Sequence, residues 1–106
     1  MTEFILVLTT VPEEKTGQEI GRVLVEDRLA ACVTISSTAR SVYRWEGKLC
    51  TEPEYVLLIK TKAALFRRLE ARIKKIHPYK VPEIIALSIE KGSADYLGWL
   101  DEETGI

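Results

Sequence analysis

The chain has 106 residues and a mass of 12.0 kDa, with a formal net charge of -1 and an isoelectric point near 5.9. This length fits one small domain, residues 1–106, and the 46% apolar and 29% charged residues are typical of a globular protein rather than a disordered one. The balanced charge excludes the strongly basic footprint of a nucleic-acid-binding surface, and no apolar run reaches the roughly 18 residues of a membrane span.

The first elements are a strand and a helix. Residues 4–8 form a continuous apolar run of strand length. A helix is predicted over 12–28, with one apolar face. Gly17 and Gly21 lie one turn apart in this helix, where each costs stability relative to Ala, so they indicate a close approach to another element.

A hairpin is predicted in the middle of the chain. A second strand covers 31–36 and continues, after a bend, over 39–45. Gly47 supplies the positive φ angle that a tight turn needs, and the return strand is predicted over 49–60. Arms of this length approach roughly 45 Å at ~3.3 Å per residue, so the tip is expected to project from so small a domain.

The last third of the chain predicts a helix, a strand and a short terminal helix. Thr61 is expected to cap a helix over 62–76, which must end at His77 because the next residue is a proline. A strand follows over 83–90, and a short helix begins near 92–93.

The resulting order, β-α-β-β-α-β plus a terminal helix, predicts an α+β fold of the ferredoxin-like kind, with the first and third strands in the centre. Both central strands are apolar at every position, whereas the two main helices cover only one face of the sheet. The leftover apolar face predicts a homo-oligomer in which sheets pack against each other. The alternative is a monomer whose terminal helix folds across that face.

Candidate functional residues are few. His77 is the only histidine, held between a helix end and a proline, and it is interpreted either as a ligand or metal residue at a subunit cleft or as a helix-terminal histidine. Cys32 and Cys50 lie too far apart along the hairpin for an intrachain disulfide. The spacing of ligands predicts no metal site within one chain, although copper bound by thiolate and imidazole between subunits stays open.

Several segments together resemble the CutA family of divalent-cation tolerance proteins, in the family order and over almost the whole chain. They are Leu29-Ala30-Ala31-Cys32-Val33, Tyr43-Arg44-Trp45-Glu46-Gly47-Lys48, Lys60-Thr61, His77-Pro78-Tyr79-Lys80-Val81-Pro82-Glu83-Ile84 and Tyr96-Leu97-Gly98-Trp99-Leu100.

The resemblance implies a homotrimer similar to the PII-type signal proteins, with hairpins that wrap neighbouring subunits, and a cytoplasmic, heat-stable protein of heavy-metal response that binds copper in some members. It also implies an intersubunit cleft lined by Trp45, Lys60, His77 and Tyr79. Two positions differ from the family's copper ligands. Thr9 stands where the family has a cysteine, and Ile76 precedes the single histidine.

Three functions are therefore considered. The first is a non-enzymatic trimer without an obligatory cofactor, which binds copper or another divalent ion through His77 and, if accessible, Cys32. The second is a signalling module that binds an anionic metabolite with Lys60 as the charge and with Trp45 and Tyr79 as stacking walls. The third is an enzyme that uses His77 and Lys60 as acid and base.

The composition also bears on the source of the protein and on its location in the cell. The chain has no Asn and a single Gln, which is typical of thermophilic proteins. The first residues lack the pattern of a signal peptide, which predicts a cytoplasmic protein.

Overall fold

A computed structural model describes residues 3–105, and the prediction about a leader peptide concerns residues that lie mostly outside this range. The described residues form a five-stranded antiparallel sheet and three α-helices. In chain order the elements are β1 (Phe4–Val11), α1 (Glu14–Glu26), β2 (Cys32–Ile35), β3 (Ala39–Trp45), β4 (Lys48–Lys62), a 3-10 turn (Ala63–Leu65), α2 (Phe66–Ile76), β5 (Ile85–Ser88) and α3 (Ala94–Glu103).

The strand order is β2-β4-β1-β5, and β3 pairs with the outer half of β4. The two continuous apolar runs therefore occupy the two central strands, as the sequence predicted. A central strand has a hydrogen-bonded neighbour on each edge and lies under the packed core, so little of it contacts water. Such strands are typically apolar without interruption. The predicted second strand is divided into β2 and β3, with residues 36–38 between them.

The hairpin formed by β3 and β4 makes the molecule 44 Å long, against 25 and 24 Å in the other two directions. At its turn Glu46 has φ 50° and Gly47 has φ 80°, so both central residues are in the left-handed region, as in a type I′ turn. Tyr43, Trp45 and Leu49 near the tip are exposed, which agrees with the predicted projection of this arm.

One face of the sheet carries the hydrophobic core. Along β1 the side chains alternate between buried and half-buried, and Ile5 and Val7 point to the face that α1 and α2 cover. The predicted close approach of α1 is confirmed, since a Cβ atom placed at Gly21 would lie 3.3 Å from the side chain of Val33 on β2. Both helices contribute fully buried residues to this core, among them Ile20, Leu24, Leu69 and Ile73.

The other face of the sheet is only partly covered. Leu6 and Leu8 of β1 are half-buried there, and Ile85 and Leu87 of the edge strand β5 are each 50% exposed. The predicted leftover of apolar surface is therefore present. Among residues 3–105, no helix is both long enough and apolar enough to cross a membrane.

Helix α3 approaches one end of this second face. Ser93 caps it by accepting a hydrogen bond from the main-chain nitrogen of Tyr96 at 3.2 Å. Asp101 forms a 2.9 Å ion pair with Lys62 of β4. The end of the helix is fixed to Arg28, whose guanidinium donates to the carbonyl oxygen of Glu102 at 2.7 Å. The helix does not cover β5, where Ile85 and Leu87 stay exposed. The predicted alternative, in which this helix folds across the whole apolar face, therefore holds only for one end of that face.

Several predicted boundaries are wrong. β4 continues through Lys62, so Thr61 is a strand residue and α2 begins only at Phe66. The hydroxyl of Thr61 does not cap the helix but donates to the carbonyl oxygen of Leu29 at 2.7 Å. The last strand is also shorter than the predicted 83–90 and covers Ile85–Ser88. The predicted end of α2 at His77 is confirmed.

Candidate functional site

His77 is buried at the end of α2, with only 8% of its surface exposed. Its Nδ1 atom lies 3.1 Å from the main-chain nitrogen of Tyr79, and its Nε2 atom lies 2.8 Å from the carbonyl oxygen of Thr10. Because the main-chain nitrogen is a donor, Nδ1 accepts and Nε2 carries the proton that Thr10 accepts. The ring is therefore a neutral imidazole that ties residues 77–79 to β1.

Burial lowers the pKa of His77 from its ordinary value, because the imidazolium form loses hydration. The hydrogen bond to Thr10 and the charge of Glu54 act in the opposite direction and offset part of this effect. The lowered pKa agrees with the neutral form that the hydrogen bonds require.

Tyr79, which is half-buried, and the buried Glu54 form the second contact of this region. The Tyr79 hydroxyl donates to Oε2 of Glu54 at 2.6 Å, and the Tyr79 ring lies 4.9 Å from the His77 ring, centroid to centroid. Burial raises the pKa of Tyr79, and the hydrogen bond to Glu54 raises it further, so the phenol stays a donor at neutral pH. Glu54 is only 5% exposed, although Glu52 and Pro53 just before it are exposed.

Tyr79 and Glu54, but not His77, line a cleft of about 730 Å³ between the β3–β4 hairpin and residues 78–83, which we call the hairpin cleft. Tyr43, Trp45 and Tyr79 are its aromatic side chains. Its charged side chains are Glu46, Glu54, Glu83 and Lys80. Two of the four residues predicted to line one cleft, Trp45 and Tyr79, thus lie together here.

Lys60 lies in a different place. Its ammonium donates to Oγ1 of Thr34 at 2.6 Å and lies 3.9 Å from the Sγ atom of Cys32, and we call these three residues the Lys60 cluster. Lys60 is twelve positions beyond Lys48, the partner of Trp45 across the hairpin, or about 40 Å along β4 at ~3.3 Å per residue. Within one chain, Lys60 and Trp45 therefore do not share a cleft.

The two residues predicted as metal ligands are also apart within one chain. Cys32 is opposite Lys60, which is opposite Leu6, whereas His77 contacts Thr10 four residues further along β1, or about 13 Å. In the part of the chain that the structure describes, no three His, Cys, Asp or Glu side chains are grouped as metal ligands. A metal role for His77 and Cys32 stays a prediction, and it requires a second subunit.

Two other predicted pairs of residues are also not in contact within one chain, Cys32 with Cys50 and Lys60 with His77. Cys32 and Cys50 are both free, as the sequence predicted. Lys60 and His77 do not contact each other, so one chain does not assemble them as an acid and a base.

The sequence analysis missed Glu54 and Thr10. Glu54 offered one signal, since Glu52-Pro53-Glu54 lies within β4 directly before the apolar residues 55–59. Thr10 contributes only its carbonyl oxygen, and side-chain patterns carry no information about that atom.

The comparisons with known proteins agree with one another. A sequence model of the CutA1 family, described as divalent ion tolerance protein, matches residues 5–103. The divalent-cation tolerance protein CutA of Thermus thermophilus is 49% identical over 100 residues, which are 94% of this chain and 97% of that protein. A solved structure of a divalent cation tolerance protein from Thermus thermophilus superposes with a TM-score of 0.93 at 48% identity, covering 96% of this chain and 99% of that one.

A third relative bears on location. The structure of a CutA protein from Archaeoglobus fulgidus, described as periplasmic, superposes with a TM-score of 0.91 at 33% identity and covers 94% of this chain and 97% of that one. One similar protein is thus described as periplasmic, and the cytoplasmic location and thermophilic source of this chain stay predictions.

Proposed function

Because the chain belongs to the CutA1 family of divalent ion tolerance proteins, we propose that it acts in heavy-metal response as a homotrimer of ferredoxin-like subunits with a PII-like arrangement. In this proposal it is not an enzyme, and it binds copper or another divalent ion at the boundaries between subunits.

The observation that carries the proposal is the uncovered apolar face of the sheet. Ile85 and Leu87 are each 50% exposed on an edge strand, beside the half-buried Leu6 and Leu8. Contiguous apolar surface of this kind is typical of an interface between subunits.

The chemistry of the donors favours a site between subunits over a site within one chain. Nδ1 of His77 is the nitrogen whose lone pair a metal could take, and it accepts the hydrogen bond from Tyr79. The thiol of Cys32 lies 3.9 Å from the Lys60 ammonium, which repels a dication. Each residue therefore needs a rearrangement, or carboxylates from a neighbour, before it binds copper well.

Two measurements test the proposal. Light scattering at micromolar concentration should give a mass of three times 12.0 kDa, and a folded species of one chain's mass would overturn the assembly. Titration with Cu(II) should show weaker binding to His77→Gln than to wild type, with Glu19→Gln, a remote and exposed change on α1, as the control. Equal affinities of all three proteins would remove His77 from the metal site.

A further inference from the structure

Helix α2 is strongly basic in a chain that is slightly acidic overall. It has five basic residues and one acidic residue, whereas the whole chain has a net charge of -1. The single carboxylate, that of Glu70, lies 3.5 Å from the Arg67 guanidinium and 3.4 Å from the Lys74 ammonium. These three residues share one side of the helix, where the charges are largely balanced. The other three basic residues pair with no carboxylate of α2.

Those three residues, Arg68, Arg72 and Lys75, form what we call the basic stripe. They are four and three positions apart, so they lie on one face of the helix over about 10 Å at ~1.5 Å per residue. Within residues 3–105, the only carboxylate partner of the stripe is Asp27, 3.2 Å from Arg72, and Arg68 and Lys75 take part in no ion pair. Arg68 also lies in the first turn of α2, where the helix dipole disfavours a cation. Like charges at this spacing repel each other, so a bound anion would stabilise the stripe.

The basic stripe borders a groove of about 250 Å³ between α2 and the loop that follows α1. Leu29 and Ala71 complete its lining, and in the described part of the chain no aromatic or acidic side chain lines it. The groove is smaller than the about 300–1,000 Å³ of a pocket for a drug-sized molecule. Three cations around so small a volume favour an anion of high charge density. The fork of donors on each guanidinium matches the oxygens of a phosphate group.

This groove lies outside the surface that the proposed assembly would cover. α1 and α2 pack on one face of the sheet, whereas the exposed Ile85 and Leu87 belong to the opposite face, together with Leu6 and Leu8. Further copies on that opposite face leave the outer side of α2 open to solvent. All the lining residues come from a single chain, so each subunit carries one complete groove.

We propose that the basic stripe binds a short linear phosphate chain, with Arg68 and Arg72 as guanidinium donors and Lys75 as a point charge at one end. Because no aromatic side chain of residues 3–105 lines the groove, the phosphate chain is recognised without stacking of a nucleobase. The site uses neither His77 nor Cys32, so it does not rest on the metal site of the proposed function.

Calorimetric titration with sodium tripolyphosphate tests the proposal. The protein is used as purified, in buffer of low ionic strength that has been freed of divalent ions, so the outcome does not depend on the metal site. We expect one tripolyphosphate per subunit, ATP to bind no more tightly, and a peptide of six glutamates to bind about fivefold more weakly. Tighter binding of ATP, equal binding of the peptide, or no binding of tripolyphosphate at millimolar concentration would overturn the proposal.

Neighbouring residues of α2 assign the binding to the basic stripe. Arg68→Gln removes a cation of the groove and should weaken tripolyphosphate about fivefold. Arg67→Gln removes the same charge at the preceding position, where the side chain is 89% exposed and pairs with Glu70, and should change the affinity by less than about twofold. Equal weakening by the two substitutions would indicate general attraction to a basic helix and overturn the site.

A second pair repeats the comparison at the other end of the helix. Lys75 lines the groove, whereas Lys74 pairs with Glu70, so Lys75→Gln should weaken tripolyphosphate more than Lys74→Gln does. All four substituted side chains are exposed, so the variants are expected to fold, and light scattering should give the wild-type mass for each. Unchanged affinity in both Arg68→Gln and Lys75→Gln would place the phosphate chain elsewhere and contradict the proposal.

Discussion

Two threonines on the core face of the sheet differ in a single hydrogen bond. Thr9 of β1 and Thr61 of β4 are both fully buried. The Thr61 hydroxyl donates to the carbonyl oxygen of Leu29, whereas the Thr9 hydroxyl has no hydrogen-bond partner among the described residues. Burying a hydroxyl without a partner costs about 1–3 kcal/mol. The two positions therefore offer a matched pair of substitutions to valine.

We expect Thr9→Val to raise the free energy of unfolding by about 1 kcal/mol, because the methyl group removes an unsatisfied polar atom without changing the volume. Thr61→Val should lower the free energy of unfolding by about 1–2 kcal/mol, since it leaves the Leu29 carbonyl without this donor. Guanidinium unfolding of both variants measures the difference. Destabilisation by both substitutions to the same extent would contradict this account of Thr9.

The buried His77 predicts a loss of stability in mild acid. Its pKa in the folded protein lies below the ordinary value of about 6.5, chiefly because of burial. As the pH falls below about 6.5, the unfolded chain binds a proton that the folded chain binds only at lower pH, so the free energy of unfolding decreases. Stability should therefore fall between the ordinary pKa and the lowered pKa.

Comparison with His77→Gln isolates this contribution, because the chain has no other histidine and the carboxylates titrate alike in both proteins. Denaturant unfolding from pH 7.5 to pH 5 should show the larger loss in wild type, so that the difference between the two proteins shrinks in acid. A difference that grows as the pH falls would mean that the folded state stabilises the imidazolium.

Among the individual residues of the site, the sequence pointed to His77 but not to the contacts that hold it and Tyr79 in place. His77 stood out because it is the only histidine and precedes a proline. Its hydrogen bond to Thr10 and the contact between Tyr79 and Glu54 join residues far apart along the chain. Such contacts depend on strand register. Side-chain periodicity predicts which face of the sheet a residue points to, but it does not predict which residue of the neighbouring strand lies opposite.

At the level of elements, two glycines in helices occupy opposite environments. A Cβ atom at Gly21 of α1 would lie 3.3 Å from Cβ and Cγ1 of Val33, whose branched side chain is stiff. A Cβ atom at Gly98 of α3 would have no atom within 4 Å. The same substitution by alanine therefore improves helix propensity at both positions but meets resistance only at Gly21.

We expect Gly98→Ala to raise the free energy of unfolding by about 0.5–1 kcal/mol, the usual gain in helix propensity. Gly21→Ala should lower it by about 1 kcal/mol, because overpacking against Val33 outweighs that gain. Thermal unfolding of both variants tests the contrast. Equal stabilisation by the two alanines would show that α1 shifts away from β2 at little cost.

The sequence predicted these elements better than their ends. Periodicity gave the helices and the central strands, but the cap assigned to Thr61 was wrong. Here β4 continues its pairing with β1 as far as Lys62 opposite Phe4, and the nitrogen of Ala63 donates to the carbonyl oxygen of Glu3 at 2.8 Å. Strand pairing with β1 therefore outcompetes the predicted helix cap at Thr61. A pattern in the local sequence cannot show this competition, because the competing partner lies far away in the chain.

For the whole molecule, the sequence argument from apolar runs correctly predicted that one face of the sheet keeps exposed apolar side chains. The apolar residues at positions 4–8 of β1 predicted that both faces of the sheet are shielded from water. In the structure α1 and α2 cover one of these faces. That argument does not contain the number of copies that would cover the other face in the proposed assembly, because periodicity measures apolar surface and not symmetry.

The uncovered face gives a direct test of assembly. Leu87 is 50% exposed on β5, an edge strand that pairs with β1 on one side only. We expect Leu87→Lys to reduce the mass measured by light scattering at micromolar concentration and to lower the midpoint of thermal unfolding. The reason is that a buried interface loses about 1–2 kcal/mol of apolar burial per chain and gains a charge that must be desolvated.

Val25 supplies the matched control, since it is an apolar residue of α1 with 42% of its surface exposed. Val25→Lys adds the same charge to the helical layer, away from the uncovered face of the sheet, and should leave both the mass and the midpoint as in wild type. If Leu87→Lys kept the wild-type mass and stability, β5 would lie outside the interface. The exposed face would then be a surface open to water, and the assembly would have to rest on the hairpin alone.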